Sequence, residues 1–284
     1  VTAILKRSLL PYLLLAAVLG LLMPTYRHLL NVSLSTRSIG TNLLSQAHGV
    51  TYLIGQLLRL DRVNADPKLP VIASWSWPVF SNAVLVLSLI AVGVVLLRKN
   101  KPVGFAILWF FLWLLPTHSI LPRPHIANGR QLYLALLGPA FLAAYGLDAL
   151  AKRRGNVFPW GAGIVLLLTL ATATHLRNRV YQDEVSYWDD TAWKSPHNAR
   201  AFNNLGFAWQ NLDDDRRAED FYRRALAIRE KAGDSLDLAT TLNNLGSVLQ
   251  RQARLDEAEP YLTRSIPLYE KLTRNLDYGG IRQP

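Results

Sequence analysis

The chain contains no cysteine among its 284 residues. This absence excludes disulfide bonds and thiolate metal sites, and it fits an oxidising and a reducing compartment equally well. Three chemical motifs are also missing: a glycine-rich phosphate-binding loop, a nucleophile elbow and a zinc-protease helix. The sequence therefore gives no sign of a P-loop enzyme, a serine hydrolase or a zinc protease.

Carboxylates are scarce in the first half of the chain. Residues 1–174 contain fifteen Lys and Arg side chains but only Asp61, Asp66 and Asp148, whereas the remainder contains sixteen basic and seventeen acidic residues. The net charge of +11 therefore belongs to the first half. Because these cations flank apolar runs and form no stripe on a soluble face, we exclude nucleic acid as a partner.

Long apolar runs dominate the same half, and each is long enough, or nearly so, to cross about 30 Å of hydrocarbon as a helix. They predict a multi-spanning transmembrane domain at residues 1–175, in contact with membrane lipids. The five predicted crossings are residues 9–23, 78–97, 103–121, 131–150 and 157–174. The first run also fits a signal peptide, although no small-residue cleavage site follows it. Residues 42–60 are fairly apolar and could form a sixth crossing, but polar side chains interrupt them. They are predicted to form a helix at the external interface.

The distribution of cations predicts the orientation. Basic residues are densest in two short connectors, at residues 98–101 and 152–154, and before the first run, at Lys6 and Arg7. Such an excess marks cytoplasmic loops. Five crossings then place residues 176–284 on the external side, which is the periplasm of a bacterium or the lumen of the endoplasmic reticulum.

An internal repeat marks the second half. The motif Asn-Asn-Leu-Gly at residues 203–206 recurs at residues 243–246. The small residues Gly206 and Ala218 and the aromatic Tyr222 have the spacing of a tetratricopeptide repeat, a hairpin of two helices. The sequence therefore predicts an all-α fold, in which a short tetratricopeptide-repeat solenoid of about two and a half repeats follows the membrane helices.

Asn204 and Asn244 occupy equivalent positions on the first helix of each predicted hairpin, facing the concave groove. An Asn side chain there can donate to and accept from the backbone of an extended peptide, whatever the peptide sequence. We therefore predict that Asn204 and Asn244 bind a polypeptide. The alternative is that they only solvate or cap the hairpins.

Three stretches carry a resemblance to a known family. They are residues 43–70, ending in Val-Asn-Ala-Asp-Pro-Lys-Leu-Pro, residues 115–134, beginning with Leu-Pro-Thr-His-Ser-Ile-Leu-Pro, and the junction 177–201 into the repeats. Together they resemble the C-terminal portion of the transmembrane, tetratricopeptide-repeat-containing protein O-mannosyltransferases and their bacterial relatives, which are C-type glycosyltransferases. The resemblance implies transfer of a sugar from a polyprenyl-phosphate donor to protein Ser or Thr, with the repeats binding the acceptor polypeptide.

The resemblance also implies a missing part. Family members carry an essential acidic residue in their first external loop, and no segment of this chain matches that loop, so we expect the chain to be inactive on its own. Members commonly have an acidic residue before the position of Arg130, where Gly129 stands here. The alternative function is non-enzymatic: a membrane-anchored scaffold whose repeats recruit a protein partner on the external side.

Residues that could bind the donor lie in the external connectors. A lipid-linked sugar presents phosphate at this face, and Arg and His cations suit it. We predict that Arg123, His125 and Arg130 in one connector, and Arg62 in the other, bind the donor phosphate; head-group anchoring or plain solvation is the alternative. Asp66 is a candidate general base toward a hydroxyl, although Asn-Ala-Asp-Pro is also an ordinary turn sequence.

Metal ligation has little support in the sequence. His118 and His125 have no acidic or Cys partner at the spacing of metal ligands. We therefore expect no metal site and no other cofactor in this chain, while a divalent metal remains compatible with longer members of the family.

Overall fold

The computed structural model describes residues 33–277, apart from residues 117, 119–121, 124, 155–156 and 234, together with residues 23, 27 and 31. The predicted crossing at residues 9–23 lies outside the described part of the chain except for Met23, as do Lys6 and Arg7.

The described chain is all-α, as predicted, and none of its residues lies in a strand. Its helices are α1 (Ile39–Leu58), α2 (Trp77–Lys99), α3 (Lys101–Leu114), α4 (Leu137–Arg154), α5 (Val157–Val180), α6 (Glu184–Lys194), α7 (Ala199–Asn211), α8 (Asp215–Glu230), α9 (Leu236–Arg251) and α10 (Leu255–Asp277). Two 3₁₀ turns, Leu60–Arg62 and Gly129–Leu132, lie between these helices.

Two compact units make up the described chain. One contains the residues up to Leu58 together with Leu69–Gly146, and the other contains Arg59–Lys68 together with the residues from Leu147 onward. The loop Arg59–Lys68 thus belongs to the same unit as the repeats, although it precedes α2 in the sequence. The sequence-based division at residue 175 separates a membrane part from a water-exposed part. The two units are defined by contacts within the chain, so they do not test that division, and it stays a prediction.

Two described helices are long and apolar enough to cross a membrane: α2, and Phe158–Val180 within α5. α2 has 23 residues, and a helix of this length spans about 34 Å, more than the hydrocarbon thickness of about 30 Å. Pro78 suits its first turn, where the missing N–H would have had no partner, and Arg98 and Lys99 lie at the negative end of its dipole. α3 is apolar but has 14 residues. The five crossings stay a prediction.

α4 begins later than the predicted crossing at residues 131–150, because the second 3₁₀ turn occupies the start of that segment. The backbone N–H of Asn128 donates to Oε1 of Gln131 at 2.9 Å and holds the turn. Pro139 lies in the first turn of α4, where a residue without an N–H is tolerated. A continuous helix from residue 131 would have placed this proline in the interior.

Glycines let the helices of the first unit approach closely. A Cβ on Gly104 of α3 would lie 2.7 Å from the backbone oxygen of Gly93 in α2, and one on Gly138 of α4 would lie 2.4 Å from the backbone oxygen of Ala106 in α3. Both distances are below van der Waals contact, so a larger residue would separate the helices. Close contact through small residues is a common basis of helix association in membranes.

The helix predicted at residues 42–60 is α1. Its apolar residues Val50 and Leu53 are buried with Phe110 and Leu114 of α3. It also buries the polar side chains of Asn42, Ser45, Gln46 and Gln56. Because buried polar groups need hydrogen-bond partners, this face of α1 is turned toward protein and not toward lipid.

The repeats form two hairpins, α7 with α8 and α9 with α10, and α6 packs against α7 as half a repeat. A Cβ on Gly206 would lie 2.8 Å from the ring of the buried Tyr222, and one on Gly246 would lie 2.5 Å from Leu262. The two glycines are equivalent, so each hairpin closes in the same way. Asp213 and Ala253 follow the first helix of each hairpin with positive φ angles of 59° and 60°.

Candidate functional site

The loop that follows α1 reaches the start of the repeats. After the first 3₁₀ turn, residues 63–68 lead to the connector between α6 and α7. The ammonium group of Lys194 donates to the backbone carbonyl of Val63 at 2.8 Å. The side-chain amide of Asn64 donates to Oγ of Ser195, also at 2.8 Å. We call these contacts, together with those of Asp66 described next, the 63–68 clamp.

Asp66 is the centre of the clamp. Its carboxylate accepts hydrogen bonds from the guanidinium of Arg200 through both oxygens, and the bond from Nε measures 2.8 Å. The side chain of Asp66 is 11% exposed and that of Arg200 is 44% exposed. A bidentate pair of this kind is stronger and more directional than a simple ion pair. As a general base Asp66 would first have to release Arg200; that hypothesis stays a prediction.

Asn198 joins the clamp to the repeat helix. Its Oδ1 caps α7 by accepting from the backbone N–H of Arg200 at 3.2 Å. Its Nδ2 donates to the carbonyl of Asp66 at 2.9 Å and to the carboxylate at 3.3 Å. Asp would cap a helix equally well, but it has no N–H to donate. The amide therefore suits both contacts.

A second ion network joins the last turn of α5 to α6. Asp190 accepts from Arg177 at 2.6 Å and pairs with Lys194 at 2.7 Å. All three side chains are less than one-fifth exposed, so solvent screens these pairs less than surface pairs. Because Lys194 also belongs to the clamp, the loop, α5 and α6 share one set of polar contacts.

Asn204 and Asn244 lie where the repeat pattern predicts them, on α7 and α9, and both are half-buried. Nδ2 of Asn244 donates to Oδ1 of Asn203 at 3.3 Å, and Nδ2 of Asn203 donates to Oδ1 of Asn204 at 3.4 Å. The three amides therefore form a chain between the two repeats. Peptide binding by Asn204 and Asn244 stays a prediction.

Arg229, in the last turn of α8, was not anticipated from the sequence. Its side chain is 8% exposed, and Nη1 donates to Oδ1 of Asn203 at 3.4 Å as well as to the hydroxyl of Thr241 and the carbonyl of Asp237. The carboxylate of Asp237 lies 3.9 Å away and is 77% exposed. Burial lowers the pKa of Arg229 from 12.5, but an arginine remains a cation in proteins. The charge is therefore directed mainly at neutral oxygens.

The residues predicted to bind donor phosphate are all exposed. Arg123 and His125 lie in the connector between α3 and α4, and Arg130 lies in the second 3₁₀ turn. Arg62 belongs to the other unit, where its Nε lies 3.9 Å from a carboxylate oxygen of Asp61. Phosphate binding by these four residues stays a prediction.

A buried cation that the sequence did not reveal lies beside this connector. Arg37 is 9% exposed, and its guanidinium donates to the backbone carbonyl of Arg123. Within the described part of the chain, Nε of Arg37 has no hydrogen-bond partner. No motif or periodicity surrounds Arg37, so only the folded structure links it to Arg123.

In the described part of the chain, no three His, Asp or Glu side chains are grouped so that they could hold a metal ion. His118 and His125, the two histidines considered as ligands, therefore belong to no such group among these residues. The expectation that the chain holds no metal continues to depend on the sequence spacing alone.

A family model confirms the repeats. The tetratricopeptide-repeat model matches residues 198–271, which contain α7 to α9 and most of α10. The match thus covers both hairpins, and it contains Asn204, Asn244 and Arg229.

Curated relatives extend the likeness beyond the repeats. Protein O-mannosyl-transferase Tmtc3 of Drosophila melanogaster is 28% identical over 165 residues, which are 56% of this chain and 18% of that protein. Protein O-mannosyl-transferase TMTC3 is 23% identical over 184 residues in Mus musculus, covering 62% and 20%, and 22% identical over 174 residues in Homo sapiens, covering 60% and 19%. The chain thus spans about a fifth of the length of the curated relatives it matches. The predicted resemblance to these O-mannosyltransferases is confirmed.

Proposed function

We propose that the chain is part of a membrane glycosyltransferase-like protein that moves a sugar from a polyprenyl-phosphate donor to Ser or Thr of a polypeptide held by the repeats. The names of the relatives support the reaction class. The repeat match supports a polypeptide partner. We propose polyprenyl phosphate as the carrier of the sugar and Ser or Thr of a polypeptide as its acceptor.

The 63–68 clamp is the observation that carries the proposal. It joins the loop just before α2, an apolar helix long enough to cross the membrane, to the first helix of the repeats through Asp66 and Arg200. Arg200 lies one turn before Asn204 on α7. A polypeptide bound at Asn204 would thus be held near the loop whose chain leads into α2.

The clamp also supports an external location for the repeats. Residues 69–76 form no helix before α2, and a non-helical segment cannot cross lipid because its backbone groups would lack partners. The clamp and the start of α2 therefore lie on one side, and Arg98 and Lys99 at the end of α2 lie on the other. Since basic clusters mark the cytoplasmic side, this arrangement supports our proposal that the repeats are external. α5, which runs from the basic residues 152–154 to the repeats, gives the same orientation.

The donor phosphate would bind to cations at this external face. Arg123, His125, Arg130 and Arg62 are exposed in the two external connectors. Arg37 fixes the connector between α3 and α4, because its guanidinium donates a hydrogen bond to the backbone carbonyl of Arg123. Guanidinium groups suit phosphate because they offer two parallel donors.

Two binding measurements on the intact chain in lipid nanodiscs test the proposal. The probes are a short polyprenyl phosphate and an uncharged, fluorescently labelled Ser/Thr-rich peptide. Arg123→Ala and Arg130→Ala should each weaken phosphate binding about tenfold or more, as expected for losing a charged hydrogen bond, and should leave peptide binding unchanged. Arg153→Ala, which removes an exposed cation at the cytoplasmic end of α4, is the matched control and should change neither.

The same measurements separate the enzyme from the scaffold. A chain that binds the peptide but has no measurable affinity for polyprenyl phosphate contradicts the transferase proposal and supports a membrane-anchored scaffold. A chain that binds the lipid phosphate but whose peptide affinity is unchanged by Asn204→Ala and Asn244→Ala contradicts acceptor binding in the repeat groove.

A further inference from the structure

The side chain of Asn203 is a buried hub between the two repeats, and 7% of the residue is exposed. Its Oδ1 accepts from Nη1 of Arg229 at 3.4 Å, from the hydroxyl of Thr241 at 3.1 Å and from Nδ2 of Asn244 at 3.3 Å. Its Nδ2 donates to Oδ1 of Asn204 at 3.4 Å. Asn203 thus connects a buried cation to both asparagines of the predicted groove.

The cation decides which way each amide points. An arginine has only donors, so the atom of Asn203 that faces Arg229 must be the carbonyl oxygen. The amide nitrogen of Asn203 then faces Asn204, which must turn its own oxygen inward to accept. Asn244 faces the oxygen of Asn203 and must turn its nitrogen inward to donate. The two groove asparagines are therefore held in opposite orientations.

We propose that Arg229 and Asn203 are positioning residues that give the groove a fixed polarity toward the backbone of an extended polypeptide. Asn204 presents its amide hydrogens, which suit a backbone carbonyl. Asn244 presents its carbonyl oxygen, which suits a backbone N–H. The inference deepens the proposed function, because it rests on acceptor binding in the repeat groove.

The surroundings of Arg229 fit this assignment. Among the residues that the structure describes, its charge pairs with the carboxylate of Asp237, which is exposed and 3.9 Å away. Three neutral oxygens, from Asn203, Thr241 and the backbone of Asp237, receive hydrogen bonds from its Nη1. Burying the guanidinium of Arg229 costs desolvation free energy, which an exposed arginine would not lose. We infer that this cost is offset by the role of Arg229 in orienting the groove asparagines.

A polypeptide with altered backbone groups tests the polarity directly. In the Ser/Thr-rich peptide, single amide bonds are replaced in turn by esters, which removes one backbone N–H at a time. One position should weaken binding to the unmodified chain about tenfold, the effect of losing one hydrogen bond. The same ester should have no further effect on Asn244→Ala. The inference is overturned if no ester weakens peptide binding to the unmodified chain, or if the same ester weakens binding to Asn244→Ala equally.

Substitutions at Asn204 and Arg229 supply the second arm. Asn204→Asp replaces the presented donor by an acceptor and should weaken peptide binding about tenfold or more, whereas Asn243→Asp, on the exposed neighbouring position of the second repeat, should not. Arg229→Gln should weaken binding and abolish the ester effect, because the Gln amide can accept as well as donate and no longer fixes the orientation of Asn203. Arg229→Lys, which can only donate, should retain part of both effects. Arg264→Gln, an exposed arginine paired with Glu230, is the matched control.

The side-chain amide signal of Asn203 in a chain labelled with ¹⁵N-asparagine distinguishes positioning from mere stability. The signal should be shifted in Arg229→Gln and nearly unchanged in Arg264→Gln. If Arg229→Gln is folded, by its circular dichroism, and binds with full affinity, the inference fails while the groove survives. If Asn204→Ala and Asn244→Ala leave binding unchanged, the groove itself fails. If Arg229→Gln does not fold, the ester scan alone decides.

Discussion

The side-chain amide of Asn198 donates to two oxygens of Asp66, a residue 132 positions earlier in the sequence, while its oxygen caps α7. One side chain thus begins the first repeat helix and fixes the loop before α2. The cap needs only an acceptor at residue 198, whereas the contact with the loop needs a donor. A substitution that keeps the acceptor but removes the donor therefore affects only the loop.

Replacing Asn198 by Asp separates the two contacts. Asp is as good an N-cap as Asn, but it offers no N–H and places a second carboxylate beside Asp66. We expect Asn198→Asp to lower the free energy of unfolding by about 1–3 kcal/mol, the cost of leaving a buried acceptor unsatisfied. Ser235→Asp, at the N-cap of α9, should be nearly neutral. Denaturant unfolding in detergent gives both values, and equal effects at the two caps would contradict the clamp.

Glu219 should make the repeats sensitive to acid. Burial alone would raise the pKa of the Glu219 carboxyl. Hydrogen bonds from Arg223, Gln252 and Arg254 nevertheless hold this pKa below its ordinary value of 4.5. A carboxyl with a lowered folded-state pKa contributes stability above its unfolded pKa, and this contribution is lost as the pH falls through the folded value. The unfolding temperature should therefore drop as the pH falls below about 4.5.

The substitution Glu219→Gln checks this assignment. It should lower the unfolding temperature at pH 7 and make it depend less on pH between pH 5 and 3, as expected when a titrating group is removed. Asp220→Asn, at the exposed neighbour on α8, should retain the acid dependence of the unmodified chain. Parallel pH curves for the unmodified chain and Glu219→Gln would show that other carboxylates cause the acid sensitivity.

Gly206 should tolerate no side chain. A Cβ there would lie 2.8 Å from the ring of Tyr222 and 3.1 Å from the backbone oxygen of Ala218, so Gly206→Ala should push the hairpin apart and cost about 1–3 kcal/mol. Gly161→Ala has no atom within 4 Å of the new Cβ. In a helix interior this control should be neutral or stabilising. Thermal unfolding followed by circular dichroism measures both, and a neutral Gly206→Ala would contradict the close packing of α7 and α8.

The absence of native cysteine makes the side of the membrane directly measurable. When the chain is produced in a bacterial inner membrane, Lys231→Cys, on an exposed position of the repeats, should react with a membrane-impermeant maleimide in intact cells. Lys101→Cys, exposed at the start of α3, should react only after the membrane is permeabilised. The reverse pattern would place the repeats in the cytoplasm.

The repeats could be predicted from the sequence because their contacts are local. Gly206, Ala218 and Tyr222 lie within one hairpin, so their spacing alone encodes which helix faces meet. The start of α4 could not be predicted from the apolar run, because a local hydrogen bond between Asn128 and Gln131 holds a 3₁₀ turn where that run begins.

The clamp could not be predicted, because its partners lie far apart in the sequence. Asp66 and Arg200 are separated by 134 positions, and no periodicity connects a loop to a helix start at that distance. The sequence therefore indicated a turn or a general base at Asp66 and left its partner unknown. The contacts of Arg229 could not be predicted either, since a basic residue in the last turn of a helix is ordinary.

The clamp also sets an order of events during biosynthesis. Residues 63–68 leave the ribosome about 130 residues before Asn198 and Arg200. At ordinary synthesis rates this interval is on the order of ten seconds, during which α2 can enter the membrane before Asn198 and Arg200 have been made. The closing of the loop onto α7 is therefore a late step, and it occurs only after the first repeat helix has been translated. A stalled or prematurely ended chain would leave the loop open at the membrane surface.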